Sequence, residues 1–413
     1  MEYDMVFEGG GAKGMVFVGA IEEVQARGFT PARLLGTSAG SIMATFLAAG
    51  YDHQEMAAAL SEEVDGKPVF MGFLEIPSAL TEQEIQDSTV RKLLRDINLL
   101  IIPDSLEPHL DDAIATALAN SRITSRIFSF IERGGLFSAD FFLRWLRTKL
   151  SSGVYSLTRG AHIKDTPRDF GDMTMAEFHH AVGCDLSLVA SDTSAQQILI
   201  LNHRTSPDLP IAFAVRMSMS VPLLWHEVVW QKDWGAYRGK DITGHAIVDG
   251  GLLSNFPIEL FLSNLAQVTA VMGEKSTSTD QVLGFLIDET LEVPGAPPTE
   301  PSGTDIDFGQ LRTVGRIKDL MNTMMQAHDK AVIESYEQLV IRLPAKGYGT
   351  IEFGMSPKRR EALVNAGRTA TAKHFEPVPI GAPLQGGFAT PRGFDDDQTD
   401  DAVDRIAIGI LSR

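Results

Sequence analysis

The stretch Gly36-Thr37-Ser38-Ala39-Gly40 stands between a short apolar strand pattern and a helix pattern rich in small residues. It is a G-x-S-x-G sequence, in which the glycines allow a backbone turn that a Cβ atom would block. Such a turn lifts the Ser38 hydroxyl clear of the sheet and places it at a helix N-terminus, where the dipole favours developing negative charge. The pattern predicts a serine nucleophile for acyl transfer. The alternative is a serine that only caps the helix.

A second glycine-rich turn follows the first predicted strand, at residues 3–7. It reads Gly9-Gly10-Gly11-Ala12-Lys13-Gly14, and a helical pattern comes after it. A glycine run at a strand-to-helix turn presents several unshielded backbone N–H groups to one point, and such a nest binds anions. Beside a serine nucleophile, the anion would be the oxyanion of a tetrahedral intermediate.

The same turn also satisfies the dinucleotide fingerprint G-x-G-x-x-G through Gly9, Gly11 and Gly14. That alternative requires an acidic residue about 20 positions on, at the end of the second strand. The second predicted strand ends in Leu34-Leu35-Gly36-Thr37-Ser38, without Asp or Glu. A nucleotide-binding module is therefore the less favoured alternative. A P-loop is excluded because Gly14 follows Lys13 where Ser or Thr should stand.

A third signal is an aspartate at a predicted strand end. The apolar run Ala246-Ile247-Val248 leads into Asp249-Gly250-Gly251. An aspartate released into a Gly-Gly turn can point at a site above the sheet, so Asp249 is a candidate general base for Ser38. Catalytic partners meet in the fold and not in the sequence, so their separation is no obstacle. The alternative is an Asx-turn at a strand terminus, which is common.

Taken in this order, the three blocks resemble the signature blocks of the patatin-like phospholipase family. Further stretches fit the same family: Arg216-Met217-Ser218-Met219-Ser220-Val221-Pro222 resembles its serine-rich turn before a proline, and Asn255 and Pro257 match residues after its aspartate. The resemblance covers roughly residues 3–290. The sequence departs from the family at Glu8, before the glycines, and we expect no direct effect on the chemistry.

The resemblance implies a three-layer α/β/α fold with a mostly parallel central sheet and a helical insertion. It also implies a serine esterase, a lipid acyl hydrolase of the phospholipase A type, with an acyltransferase or thioesterase as a variant. A Ser–Asp dyad would act without histidine, metal or other cofactor. Carried over residue by residue, Ser38 is the nucleophile and Asp249 the base. The oxyanion hole would comprise Gly9, Gly10, Gly11, Lys13 and Gly14, and the motif glycines Gly36, Gly40, Gly250 and Gly251 would support the turns.

The triad of an α/β-hydrolase is the catalytic alternative. It needs Ser, then Asp or Glu, then His, in that order. The histidines after Asp249 are His328 and His374, and each stands in a helical pattern, where we interpret it as a surface or packed residue. An α/β-hydrolase also normally carries its nucleophile after several strands, whereas Ser38 follows the second. The sequence therefore favours the dyad.

Composition limits the partners. The chain has 413 residues and a net charge of −18, which argues against a nucleic acid polymer and against simple attraction to anionic lipid. The single cysteine, Cys184, excludes an intrachain disulfide and indicates a reducing compartment. No run of 18 apolar residues and no signal-peptide pattern are found. We expect a cytoplasmic protein that contacts membrane phospholipid peripherally.

The predicted organisation is a catalytic domain over residues 1–290 and an extension over residues 291–413. Residues 53–135 are predicted as a helical insertion that could act as a lid over the site. The extension is predicted to hold helices, a hairpin near residues 339–353 and an irregular acidic tail that includes residues 376–401. An activating ligand or partner, and self-association, are compatible with this organisation.

Overall fold

The computed structural model describes residues 1–64, 66–75, 77, 129–275, 281–298, 336–376 and 396–412. Much of the insertion predicted over residues 53–135, and His328, lie outside the described residues. Within these residues the main sheet has eight strands: β1 (Glu2–Phe7), β2 (Thr30–Thr37), β3 (Asp185–Asp192), β4 (Gln197–Leu201), β5 (Val228–Val229), β6 (Ala246–Asp249), β7 (Val282–Glu292) and β8 (Val340–Lys346).

The strand order is β5-β6-β3-β2-β1-β7-β8, with β4 on the other edge of β3. The pairs from β3 through β2, β1 and β7 to β8 are parallel. The pairs β3–β4, β3–β6 and β5–β6 are antiparallel. In the part of the chain that the structure describes, three two-stranded ribbons lie outside this sheet: Gly135–Phe137 with Leu223–Trp225, Glu63–Val64 with Lys67–Pro68, and Val154–Tyr155 with Thr166–Pro167. The mostly parallel sheet of the predicted α/β class is confirmed.

Helices cover both faces of the sheet. The longer helices are α1 (Val16–Ala26), α2 (Ala39–Ala48), α3 (His53–Leu60), α4 (Asp140–Leu150), α5 (Met175–Val182), α6 (Ile211–Ser218), α7 (Pro357–His374) and α8 (Asp396–Ser412), and shorter ones are Val69–Gly72, Glu259–Leu262 and Ala266–Met272. Within the described residues, no helix combines the length and the apolar composition that crossing a bilayer requires.

Side chains that alternate along the central strands enter two separate apolar cores. In β1, Phe7 packs with α1 and α2 in one core, whereas Val6 packs in the other core with Phe261 and Ile410. Because successive strand residues point to opposite faces, a strand buried on both sides reads as a continuous apolar run. This packing produces the three layers.

The predicted hairpin near residues 339–353 is wrong. The strand β8 is present, but it pairs in parallel with β7, through Gly284–Val340 to Asp288–Pro344. Its chain then turns at Gly347, whose φ is +81°. The alternating apolar pattern identified a buried strand and did not identify its partner. The sheet also continues across the boundary predicted at residue 290, since that residue lies within β7.

The prediction of an irregular tail is also wrong for residues 396–401, because α8 begins at Asp396, whereas residues 377–395 lie outside the described residues. Val403, Ala407 and Ile410 recur at helical spacing and are buried. Asp396 and Asp397 stand in the first turn of this helix, where the macrodipole favours negative charge, and Asp400 and Asp401 follow in the second turn.

Helices α1 and α7 approach each other through glycines. A methyl group at Gly19 would overlap the carbonyl oxygen of Val364, and one at Gly367 would overlap that of Val16. Backbone therefore meets backbone at this crossing, which attaches α7 to the first βα unit of the fold.

We predict that Gly19→Ala lowers stability by about 1–3 kcal/mol, because overpacking displaces α7 from α1. Gly409→Ala is the matched control, since nothing lies within 4 Å of the added methyl in α8. Alanine there should be neutral or stabilising by up to about 1 kcal/mol. Thermal unfolding of both variants measures the difference. Equal melting temperatures would show that the α1–α7 crossing tolerates expansion.

Candidate active site

Ser38 occupies a strained turn between β2 and α2. Its φ of 52° and ψ of −119° lie outside the regions that L-residues ordinarily adopt. Gly36 and Gly40 permit the turn, because a methyl group at Gly36 would overlap the Gly40 carbonyl and one at Gly40 would overlap the Phe7 carbonyl. The Ser38 N–H donates to Ser218 Oγ over 3.0 Å, which fastens the turn from the side. Ser38 is therefore held in the geometry of a nucleophile elbow.

Strand register brings Asp249 to Ser38. On β3, Val189 pairs with Thr37, the last residue of β2, and the next residue, Ala190, pairs with Asp249, the last residue of β6. Strand β4 occupies the other edge of β3 over these positions, so β2 and β6 share one edge. They run in opposite directions, and their carboxyl ends therefore meet. Asp249, the predicted base, is the last residue of β6, and Ser38, the predicted nucleophile, directly follows β2. Both residues therefore lie where these two strand ends meet.

Asp249 is buried with 2% of its surface exposed. Its Oδ1 accepts the Gly251 N–H over 2.8 Å, and its own N–H donates to the Ser220 carbonyl over 2.8 Å. Its Oδ2 is buried without a hydrogen bond of ordinary geometry. Gly250 lies against the Val189 carbonyl, where a side chain would not fit. The Gly-Gly turn thus fixes one carboxyl oxygen and leaves the other without such a contact.

Burial raises the pKa of Asp249 from 3.8 to about 7, and hydrogen bonding from the Ser38 hydroxyl and the Gly251 N–H acts in the opposite direction. Burial dominates because the charged form loses its hydration. A carboxylate with a pKa near neutrality accepts a proton far more readily than an ordinary aspartate does. The site therefore places a hydroxyl group beside a carboxyl group whose pKa lies near neutrality.

The glycine turn lies directly beside the serine. A methyl group at Gly9 would stand 3.0 Å from Ser38 Cβ, and one at Gly14 would stand 2.8 Å from Ala39 Cβ. Gly11 has a φ of +56° and adjoins the Thr350 carbonyl, so glycine is required there. The turn predicted to bind an anion is thus assembled against the serine elbow.

The N–H groups of this turn differ in their partners. Gly9 N–H donates to the Asn255 carbonyl over 3.3 Å, and Lys13 N–H donates to the Gly10 carbonyl over 3.3 Å. The Lys13 side chain is buried and ion-paired with Glu289. Among the described residues, no acceptor is found for the N–H groups of Gly10 and Gly11. Of the predicted oxyanion-hole residues, Gly10 and Gly11 therefore have N–H groups available to an anion, whereas Gly14 lies inside the short 3-10 helix Gly11–Met15.

Glu8 is a site residue whose part the sequence did not predict. Its Oε1 accepts Asn255 Nδ2 over 3.0 Å, and its Oε2 accepts the Ile287 N–H over 2.6 Å. Asn255 Nδ2 also donates to the Gly9 carbonyl over 3.0 Å. Glu8 therefore joins the glycine turn to β7 and to the segment after Asp249. The feature of the sequence that could have pointed to this role is the departure from the family pattern at Glu8.

The segment Arg216–Pro222 supports both halves of the site. Ser218 holds the Ser38 turn, and Ser220 accepts the Asp249 N–H, as described above. The buried Arg216 guanidinium donates to the Ser138 carbonyl over 3.1 Å and to the His226 carbonyl over 2.9 Å. The sequence analysis recognised this segment as a family feature without predicting these contacts.

His374 lies far along the sheet from Ser38. Its ring contacts Phe375, which packs on Phe29 just before β2 begins, whereas Ser38 follows the end of β2. Burial lowers the pKa of His374. The other histidine of the triad alternative, His328, is outside the described residues.

Comparison with known proteins identifies one family. The family model described as "Patatin-like phospholipase" matches residues 5–262. The uncharacterized protein YqhO of Bacillus subtilis is 28% identical over 382 residues, which span 90% of this chain and 97% of that protein.

Two solved structures resemble the chain more distantly. VipD from Legionella pneumophila has a TM-score of 0.42 and 17% identity, covering 91% of this chain and 67% of that one. The type III effector protein ExoU has a TM-score of 0.35 and 16% identity, covering 90% and 52%. The chain therefore spans about half the length of ExoU.

We predict that Asp249→Asn stabilises the protein at pH 8 more than at pH 5. The folded chain raises the pKa of Asp249 to about 7, so protonation favours folding at low pH. Stability is lost as the pH rises from 3.8 to about 7, because over this range the unfolded chain has released the proton that the folded chain still holds, and the loss is complete at pH 8. An amide removes this loss. At pH 8, differential scanning calorimetry should give Asp249→Asn a melting temperature a few degrees above that of the wild type, and the difference should be smaller at pH 5.

Asp172→Asn provides the control, because the Asp172 side chain is 90% exposed. This variant should change the melting temperature little at either pH. A uniform effect of Asp249→Asn at both pH values would contradict the raised pKa.

Proposed function

The chain belongs to the patatin-like phospholipase family, and on that premise we propose a lipid acyl hydrolase of the phospholipase A type with Ser38 as nucleophile and Asp249 as general base. The observation that carries the proposal is the meeting of these two residues on one edge of β3. The pKa of Asp249, about 7, suits a base that works near neutrality.

The reaction follows from these contacts. Asp249 takes the proton of the Ser38 hydroxyl as Oγ attacks the ester carbonyl carbon. The carbonyl oxygen becomes an oxyanion, which accepts hydrogen bonds from Gly10 and Gly11 N–H, each such donor being worth about 3–4 kcal/mol. Collapse expels the lipid alkoxide, which receives the proton from Asp249 and leaves an acyl-serine. Water then attacks the acyl carbon and gives a proton to Asp249. The bond between Ser38 Oγ and the acyl carbon breaks, Asp249 returns the proton to Oγ, and the fatty acid is released.

The proposed substrate is membrane phospholipid or another acyl-ester lipid, contacted peripherally at the membrane. The first described part of the segment at residues 53–135 is fastened to the catalytic domain near Glu75: Trp225 Nε1 donates to the Phe73 carbonyl over 2.8 Å, and Phe141 N–H donates to Glu75 over 2.8 Å. The segment lies between Ser38 and Asp249 in sequence, and we retain it as the proposed lid. A triggering ligand, partner or self-association would act there.

We predict that Ser38→Ala and Asp249→Ala each lower kcat/KM by about 10,000-fold or more, and that the double variant is little worse, because members of one proton-transfer unit act non-additively. The assay incubates protein with phosphatidylethanolamine–phosphatidylglycerol vesicles and with a short-chain ester. Mass spectrometry measures free fatty acid and lysophospholipid, and locates a fluorophosphonate adduct on the chain.

Ser152→Ala is the matched control, since Ser152 is exposed just after α4 and outside the proposed lid. This variant should retain full activity and labelling. Hydrolysis by Ser38→Ala at the wild-type rate would overturn the proposed nucleophile. Transfer of the acyl group to an added alcohol in place of water would identify the acyltransferase variant.

We also predict that Glu8→Ala lowers kcat by about 10- to 100-fold with a smaller change in KM. Removing the carboxylate releases Asn255 Nδ2 and the Ile287 N–H, so the glycine turn can shift, and misplacement by about 1 Å costs on the order of 100-fold. Glu8→Gln can accept only one of these two donors and should fall between. Glu2→Ala, at the exposed first position of β1, the strand that Glu8 follows, is the control. A change in KM alone would give Glu8 a substrate-binding role.

A further inference from the structure

Two histidines and an aspartate meet at the end of the sheet away from Ser38. His179 lies near the end of α5, Asp185 is the first residue of β3, and His203 lies two residues after β4. One ligand atom from each lies within 4.8 Å of the others, and among the described residues they form the group of three suited to a metal ion. We call these three residues the His–Asp–His group.

The spacing within this group suits a shared ion. Asp185 Oδ1 lies 3.5 Å from His179 Nδ1 and 3.7 Å from His203 Nε2. Both distances are long for hydrogen bonds. In a tetrahedral zinc site with bonds of about 2.0–2.1 Å, neighbouring ligand atoms stand about 3.3–3.4 Å apart. We propose that His179, Asp185 and His203 bind a divalent cation of the zinc class, with a fourth position open to water.

The two imidazoles must reorient when the ion binds. Their rings are stacked, with centroids 3.5 Å apart and an interplanar angle of 5°. The in-plane lone pairs of stacked rings lie in parallel planes and cannot both point at one ion. One ring therefore turns about χ2, so that the two lone pairs converge on the ion. His179 Nδ1 also lies 3.1 Å from the Cys184 carbonyl oxygen, so a proton on Nδ1 must move to Nε2 of the same ring before Nδ1 can bind the ion.

Arg204 is the competitor for Asp185. Its Nη2 lies 3.2 Å from Oδ1 and 3.0 Å from Oδ2. The Arg204 side chain is 29% exposed, so it can move into solvent when a divalent ion takes its place. A cavity of about 510 Å³ lined by His179, Asp185 and Arg204 provides a route for entry. Without a metal, the Arg204 guanidinium thus supplies the positive charge beside Asp185 that a bound ion would supply.

The location separates this site from the ester chemistry. Asp185 pairs with Arg33 near the start of β2, whereas Ser38 follows the end of that strand. An ion here would join α5, the start of β3 and the turn after β4, and would stabilise the fold because it binds the folded chain. It would not contact the reacting atoms.

The test is Co²⁺ titration of untagged, EDTA-stripped full-length protein, followed by visible absorption and by competition with Zn²⁺. One ion should bind per chain with an absorption band of tetrahedral or five-coordinate cobalt. His179→Ala and His203→Ala should each weaken binding by more than about 100-fold, since even partners that only orient a ligand matter by about 10- to 100-fold. Circular dichroism of the metal-free variants verifies their folding.

His180→Ala is the matched control, because His180 is exposed and adjacent to His179 on α5. It should bind cobalt as the wild type does. Arg204→Gln keeps all three ligands and removes the competing charge, so it should bind several-fold more tightly. Absent or non-stoichiometric binding, equal binding by His203→Ala, or unchanged or weaker binding by Arg204→Gln would overturn the proposal.

Discussion

The shared edge of β3 is the constraint on which the site depends. Parallel β2 and antiparallel β6 pair with consecutive residues, Val189 and Ala190, and end facing each other. A ladder of backbone hydrogen bonds sets this arrangement, and a slip of one residue would turn every side chain to the other face. Ser38 and Asp249 are therefore brought together by sheet register. Loops adjust their orientation but do not determine their proximity.

Two features of the site lower the stability of the folded state. Ser38 adopts a strained backbone conformation, and Asp249 is a carboxyl group buried beside a hydroxyl rather than a cation. Each feature is held by surrounding contacts: Ser218 on the serine turn, and Gly251 and Ser220 on the aspartate. At functional sites a residue is often held in a conformation or an environment that it does not favour by itself, and contacts with the surrounding structure keep it there.

Much of the fold could be predicted from local patterns. Gly36, Gly40 and Gly11 were recognisable because each occupies a turn or close approach that only glycine permits. The strands near Ser38 and Asp249 were recognisable because buried strands form continuous apolar runs. The partner of β8 was not, since an apolar alternation specifies a strand and says nothing of which strand lies beside it. The helix α8 was missed because its acidic beginning resembled a solvated tail.

The supporting contacts could not be predicted for a related reason. Glu8 meets Asn255 and Ile287, and Lys13 meets Glu289, through pairings between residues far apart in the chain. No local pattern encodes such a pairing. Lys13 shows the consequence: its place in the glycine motif suggested an oxyanion-hole residue, whereas its side chain and its N–H both have partners within the protein.

The pH dependence of Ser38 acylation tests the central claim most directly. The measurement is the rate at which a fluorophosphonate probe modifies Ser38 between pH 5 and 9, followed by intact-protein mass spectrometry. With Asp249 as the base and a pKa of about 7, the rate should level off above neutrality and fall about tenfold per pH unit below it. A rate independent of pH across this range would contradict an aspartate base for Ser38.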